Sequence, residues 1–183
     1  MNHRIGSIMH LRERQTRSLH RRPALLLLVA SLSLVVAPLQ AQSVPARKLM
    51  ASLERVYGRG LGADSLSLDG AVVLRVRRHD SVLGFAQVRD VMGKDQPITY
   101  LVATDTALVL RDIDILIYRE PYGGEVAYEA WRKQFRGRDA RDSLVVGRQI
   151  RGISGATISV HAVTLGVRQA LRQLAEWRRD GRL

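Results

Sequence analysis

The sequence predicts an α+β fold: an antiparallel β-meander packed with helices, closed by a C-terminal helix that follows a Ser-Gly-Ala-Thr turn. Three observations carry this. From Ala71 to Tyr118 apolar and polar residues alternate with period two, in four runs separated by turn residues. The connections between those runs are short, which joins neighbours as hairpins and makes the sheet antiparallel. Val160, Val163, Val167, Leu171 and Leu174 then recur at helix-face spacing.

Taken in order, residues 44–60 start as a helix with Leu49, Leu53 and Val56 on one face, and Gly58, Gly60 and Gly62 end it. Residues 61–70, rich in Gly, Asp and Ser, read as a loop. Val72, Leu74 and Val76 alternate with Val73, Arg75 and Arg77 in the first strand, and His79-Asp80-Ser81 turns the chain. The second strand runs from Val82 to Val91, with Gly84 marking a bulge or a close backbone approach. Gly93 to Pro97 is a loop. Ile98, Tyr100 and Val102 alternate with Leu101 and Ala103 in the third strand, and Asp105-Thr106 is a tight turn. The fourth strand, Leu108 to Tyr118, puts Ile113, Ile115 and Ile117 on one face and Asp112 and Asp114 on a solvated one. Glu120-Pro121-Tyr122-Gly123-Gly124-Glu125 interrupts it, since proline cannot continue a central strand and paired glycines bend sharply. Val126, Ala130 and Phe135, with Trp131 on the next stripe, predict a helix that Gly137 stops. Leu144-Val145-Val146 is a last strand or an extended segment.

The chain of 183 residues suits one domain with extensions. Residues 1–22 carry six arginines, and an apolar run, Ala24 to Val36, comes after them. This is the n-region and h-region of a signal peptide, with Ala41 last at a tolerable cleavage site; an uncleaved anchor is the other reading. Both export the rest of the chain, to the periplasm or the outer face of the cytoplasmic membrane. Arg21-Arg22 sits poorly in a twin-arginine context. The expected organisation is a leader at 1–41, a helix and loop at 42–69, and the main domain at 70–183.

The formal net charge is +12, of which +7 remains in residues 42–183. These basic residues are scattered or lie on the terminal helix, without the aromatic interleaving of a single-strand binder, so no nucleic acid is expected. Attraction to anionic lipid heads or to an acidic redox partner is the functional alternative to a solvated basic surface. The absence of cysteine excludes disulfides, thiolate catalysis, cysteine-bound clusters and a lipobox. No two histidines have metal-ligand spacing, and none of the chain follows the Gly-x-Gly-x-x-Gly dinucleotide pattern.

Chemistry concentrates in Arg151-Gly-Ile-Ser-Gly-Ala-Thr-Ile-Ser159. Gly152 and Gly155 permit backbone angles closed to other residues. Ser154 is a candidate N-cap, and Thr157 falls in the first turn of the helix. Free N–H groups and the positive end of the helix dipole converge there, which suits a phosphate. His161 lies seven residues beyond Ser154. It is read as a helix-surface histidine rather than the base of a small hydrolase. Tyr118, Tyr122, Tyr128 and Trp131 gather around the second glycine turn, where they either stack on a ligand or pack.

Ser154-Gly155-Ala156-Thr157 resembles the Ser/Thr-Gly-Ala-Thr signature of the FMN-binding domain family, found in the FMN-carrying subunits of the Rnf complex and of sodium-translocating NADH:quinone reductase. The order of elements over roughly residues 70–175 is similar too: a meander, a glutamate-led turn, a helix ending near a glycine, and the signature helix. The resemblance implies FMN as cofactor, joined to Thr157 by a phosphoester that a separate flavin transferase makes. The backbone of Gly155, Ala156, Thr157 and Ile158 would hold the phosphate. Glu120, Tyr122 and Gly123 would flank the flavin, Glu120 accepting from a flavin N–H or a ribityl hydroxyl. The family pattern has an acidic residue where this chain has Arg151, whose guanidinium can instead grip a phosphate. The implied role is an electron carrier with membrane-bound redox partners, not a stand-alone enzyme. A flavin-free scaffold with the same fold is the alternative.

Overall fold

The computed structural model describes residues 44–183; the leader read at 1–41 lies outside the described residues. These belong to one compact unit. It contains helix α1 (Ala46–Tyr57), strands β1 (Gly62–Leu68), β2 (Ala71–Arg78), β3 (Ser81–Met92), β4 (Pro97–Thr104) and β5 (Leu110–Ile117), helix α2 (Glu129–Arg132) between two 3-10 turns, and helix α3 (Thr157–Arg179). The strands form one antiparallel sheet in sequence order.

Both faces of the sheet are covered. Ile98, Tyr100 and Val102 of β4 join Val160, Val163 and Val167 of α3 in the main core, while Leu101 and Ala103 pack with Leu53 and Tyr57 of α1. The alternation read in β4 is therefore an alternation between two buried layers. The far end of α3 covers β2 and β3 through Leu174 and Trp177 against Val73 and Phe85. Trp177 and Arg182 both donate to Asp69 in the β1–β2 turn, which holds its carboxyl down at about 2. No described helix is long and apolar enough to cross a membrane.

Five expectations need correction. Residues 61–70 are not a loop: Gly62 to Leu68 pair with β2 over their whole length. This edge strand is mostly solvent-exposed, so its polar sequence has no apolar alternation to read. Asp69 and Gly70, at φ 50° and 78°, make the Asp-Gly hairpin turn.

The helix expected from Val126 to Phe135 is three short pieces. Gly124–Ala127 and Lys133–Phe135 are 3-10 turns, and Tyr128 is extended between the first and α2. Val126, Trp131 and Phe135 still point into the main core.

Asp112 does not face solvent: it is buried and pairs with the equally buried Arg132 at 3.1 Å and with Arg136 at 2.9 Å. Asp114 is half-buried, accepts from Ser52 at 2.7 Å and pairs with Arg55 of α1. Nor do Ile113, Ile115 and Ile117 share a face. The register skips Leu116 between the pairs Tyr100↔Ile115 and Thr99↔Ile117, and this irregularity turns Ile117 to the α1 side.

The β2–β3 bulge does occur, beside Gly84. Pairing passes from Val76↔Gly84 to Arg77↔Val82, leaving Leu83 extra. A Cβ on Gly84 would stand 1.9 Å from the Thr104 carbonyl oxygen. Leu144–Val146 is neither a strand of the sheet nor extended throughout: Leu144 takes a left-handed φ of 45°, the Val145 carbonyl accepts the N–H groups of residues 148–150, and Val146 bridges to Ile150.

Candidate functional site

The antiparallel register brings three segments to one end of the sheet. Met92↔Pro97 closes the β3–β4 loop, and Thr99↔Ile117 delivers residues 118–123 beside it. The start of α3 packs against the same end. None of these neighbours is close in sequence, which is why the loop at 93–96 carried no functional signal when read alone.

Glu120 ties the first two segments together. Its Oε1 accepts the backbone N–H of Asp95 at 2.7 Å and of Gln96 at 3.0 Å. These bonds, from Gln96 first and Asp95 second, hold its carboxyl below the usual glutamate range. A Cβ on Gly93 would lie 2.4 Å from that oxygen, so the loop closes over Glu120 only with glycine there. One carboxylate oxygen of Glu120 is thus engaged in building the site wall.

Because the folded pKa is lowered, this contribution is full above the ordinary glutamate pKa and is lost as pH falls through the lowered value. We expect the amide resonances of Asp95 and Gln96 to titrate together with a midpoint below that of an ordinary glutamate, and the transition to vanish in Glu120→Gln. A midpoint in the ordinary range would show that the clamp does not form.

Gly123 joins the second segment to α3. Its φ is +88°, and a Cβ there would come within 2.7 Å of Tyr118 Oη, 2.9 Å of Ser159 Oγ and 3.4 Å of Ala156 Cα. The Tyr118 hydroxyl donates to the Tyr122 carbonyl. With that proton committed, Ser159 donates to Tyr118 Oη at 2.9 Å. Of the two readings of Tyr118, packing holds: it and Ser159 build the site wall, a pairing that the sequence did not show. The spacing of Ser159, two residues after Thr157 and so off its face, gave no hint of a partner 41 residues away.

At the helix start the structure corrects the capping assignment. Ala156, buried, occupies the N-cap, with no side-chain cap bond, and Ser154 is exposed in the turn before it. The first bond back within the helix is Val160 N–H to Ala156 O at 2.9 Å. The N–H groups of Thr157, Ile158 and Ser159 precede it and have no intrahelical acceptor. Gly155 is at φ +81° with nothing within 4 Å of where a Cβ would point; Gly152 does not take positive φ. Thr157 is the first helical residue and is exposed.

These pieces enclose a cleft of about 280 Å³ lined by Lys94, Asp95, Glu120, Pro121, Tyr122 and residues 155–159. Of the sequence candidates, Gly155, Ala156, Thr157, Ile158, Glu120 and Tyr122 line it, and Gly123 braces it from behind. Lys94 is a cation that the sequence did not flag. Arg151 lies elsewhere: it lines a neighbouring hollow with Glu125, Tyr128, Trp131 and Gln134. Its carbonyl accepts from Trp131 Nε1 at 2.9 Å, and its N–H donates to Gln134 Oε1 at 2.8 Å. Among the described residues no hydrogen bond joins Ser154 to His161, and no cluster has the make-up of a metal site.

A dipole-bearing helix start, an open glycine turn and the Lys94 ammonium are features that suit a phosphate. Residues 93–172 match the FMN-binding domain family, a span that holds every element of the cleft. The chain carries an FMN-binding domain of that family, and FMN is its cofactor. No curated protein matches the chain.

Gly155→Val tests the cradle. A β-branched residue at this left-handed φ costs about 1–2 kcal/mol, a fall of very roughly 2–8 °C in Tm for a chain of this size. Its side chain would also fill the space left for the phosphate, so FMN content should drop beyond what lost stability explains. Parental melting and parental flavin content together would remove the cradle argument.

Proposed function

We infer that this is an exported electron-transfer protein whose FMN is held by a phosphoester to Thr157. One observation carries the reading: Thr157 is exposed at the first position of α3, where it lines the cleft described above at a helix start whose first three N–H groups have no helical acceptors. The cleft residues fit the group. Lys94 and the helix start would hold the phosphate, Gly155 leaves it room, and Tyr122 offers an exposed aromatic face.

When bound, FMN supplies the redox chemistry, accepting or releasing one or two electrons. The chain's own part is to anchor and orient it. Gly123, Tyr118 and Ser159 fix the helix start against the Glu120 turn, and Glu120 fixes the 93–96 loop that brings Lys94. Covalent attachment suits export, since an exported carrier would otherwise lose a diffusible cofactor. The pattern of residues 1–41 supports export. The lack of a dinucleotide fingerprint supports dependence on partner proteins, with membrane-bound redox partners and a flavin transferase the expected ones.

The test is coexpression with a flavin transferase in the same compartment. The reading expects a yellow protein whose flavin spectrum bleaches with dithionite and returns in air. A colourless protein from that coexpression would instead favour the flavin-free scaffold.

A further inference from the structure

We propose that the exposed face of α3 is the docking surface for an acidic redox protein, apolar where it adjoins the FMN cleft and cationic beyond. The proposal rests on the FMN reading above and names the kind of partner. Thr157 and Ile158 line the FMN cleft and also a second, larger groove of about 640 Å³. Leu144, Val145, Val146, Ala162 and Leu165 form most of its walls, with His161 and Arg168 at its margin.

Ile158, Leu165 and Val145 are 50%, 44% and 37% exposed, a cluster of large apolar side chains in water. Along the same helical face Ile158, His161, Leu165, Arg168, Arg172 and Arg179 succeed one another at steps of three, four and seven. At 1.5 Å per residue, Leu165 lies about 12 Å and Arg172 about 22 Å along the axis from Thr157. The apolar patch is therefore next to the cofactor and the positive charge is set back from it.

The cationic end is short of compensation. Arg141 meets Arg172 and Arg179 across a further hollow, where Glu176 is the acid. Arg141 is paired with Asp139, but Arg172 and Arg179 have no ion-pair partner among the described residues. Arg168 is held only by the Ser143 carbonyl. Helix α3 carries four arginines against one glutamate. An apolar patch continued by a predominantly cationic stretch is an arrangement that steers an oppositely charged protein and then excludes water at contact.

Plastocyanin, a small acidic one-electron acceptor, is the probe, with basic cytochrome c as its opposite. Reoxidation of the dithionite-reduced protein moves two electrons and releases two protons, so two acceptor molecules are reduced per FMN. We expect plastocyanin to be reduced fast at low salt, with the rate falling as salt rises, and cytochrome c to show no such fall. Arg172→Glu/Arg179→Glu should slow plastocyanin by about tenfold or more and abolish its salt dependence. Arg47→Glu/Lys48→Glu changes net charge equally on exposed positions of α1, across the sheet, and should leave the rate within about twofold.

A second readout needs no flavin. Reduced plastocyanin titrated into the flavin-free protein should shift the amides of His161, Leu165 and Arg172, and not those of α1. Equal slowing by both double variants, or amide shifts scattered over the surface, would overturn the proposal. Failure of the FMN reading would appear separately, as a colourless protein that still shows the α3 shifts.

Discussion

Thr157→Ala protein, coexpressed with flavin transferase and then denatured, should carry no flavin fluorescence on a gel, while the parent carries about one flavin per chain. The phosphoester needs one oxygen, and the substitution removes it. The change should not disturb the fold. Thr157 is exposed at the first helical position, makes no side-chain hydrogen bond among those described, and is replaced by the best helix former. Melting within about 0.5 kcal/mol of the parent is expected, as for a surface substitution. Acid-stable flavin persisting in this variant would move attachment to another hydroxyl. Exposed Ser154 would then be the first candidate, since Ser159 is buried against Tyr118.

Asp112→Ala should destabilise the fold more than either Thr157→Ala or Gly155→Val. It leaves Arg132 buried at 6% side-chain exposure with its nearest carboxylate, Asp114, at 3.9 Å instead of 3.1 Å. Arg132 also donates to the carbonyls of Ala127 and Ile113, so it cannot swing out to water without unpairing them. Removing one partner of a buried ion pair costs about 3–5 kcal/mol. The remaining Asp114 and the two carbonyls argue for the lower end. About 3 kcal/mol corresponds to a fall of roughly 6–12 °C in Tm. Asp112→Leu/Arg132→Met removes both buried charges and should recover part of the loss, the Ala127 and Ile113 carbonyls being left without their donor. A single variant as stable as the parent would show that Arg132 reaches solvent.

How much of the molecule is legible in its sequence depends on where each signal lives. Strands β2 to β5 bury at least one face, so their apolar alternation survives in the sequence. Strand β1 is an exposed edge and has no such signal, and the Asp69-Gly70 turn that joins it was absorbed into the loop read at 61–70. The buried Asp112–Arg132 pair was illegible because alternating carboxylates look the same whether water or a guanidinium faces them. At the site, Gly155 and Thr157 were readable, since a turn and a helix start are local. The Glu120 clamp on residues 95 and 96 and the Tyr118–Ser159 contact depend on register between distant segments. The same dependence put Lys94 into the cleft and Arg151 outside it.

Attachment of FMN to Thr157 as a phosphoester is read out by the intact mass of the purified protein. Protein made with a flavin transferase in its compartment should be heavier than protein made without one by FMN less one water, with the added mass on the peptide containing Thr157. Identical masses from the two preparations, with flavin lost on denaturation, would contradict covalent attachment and leave FMN held by the cleft alone.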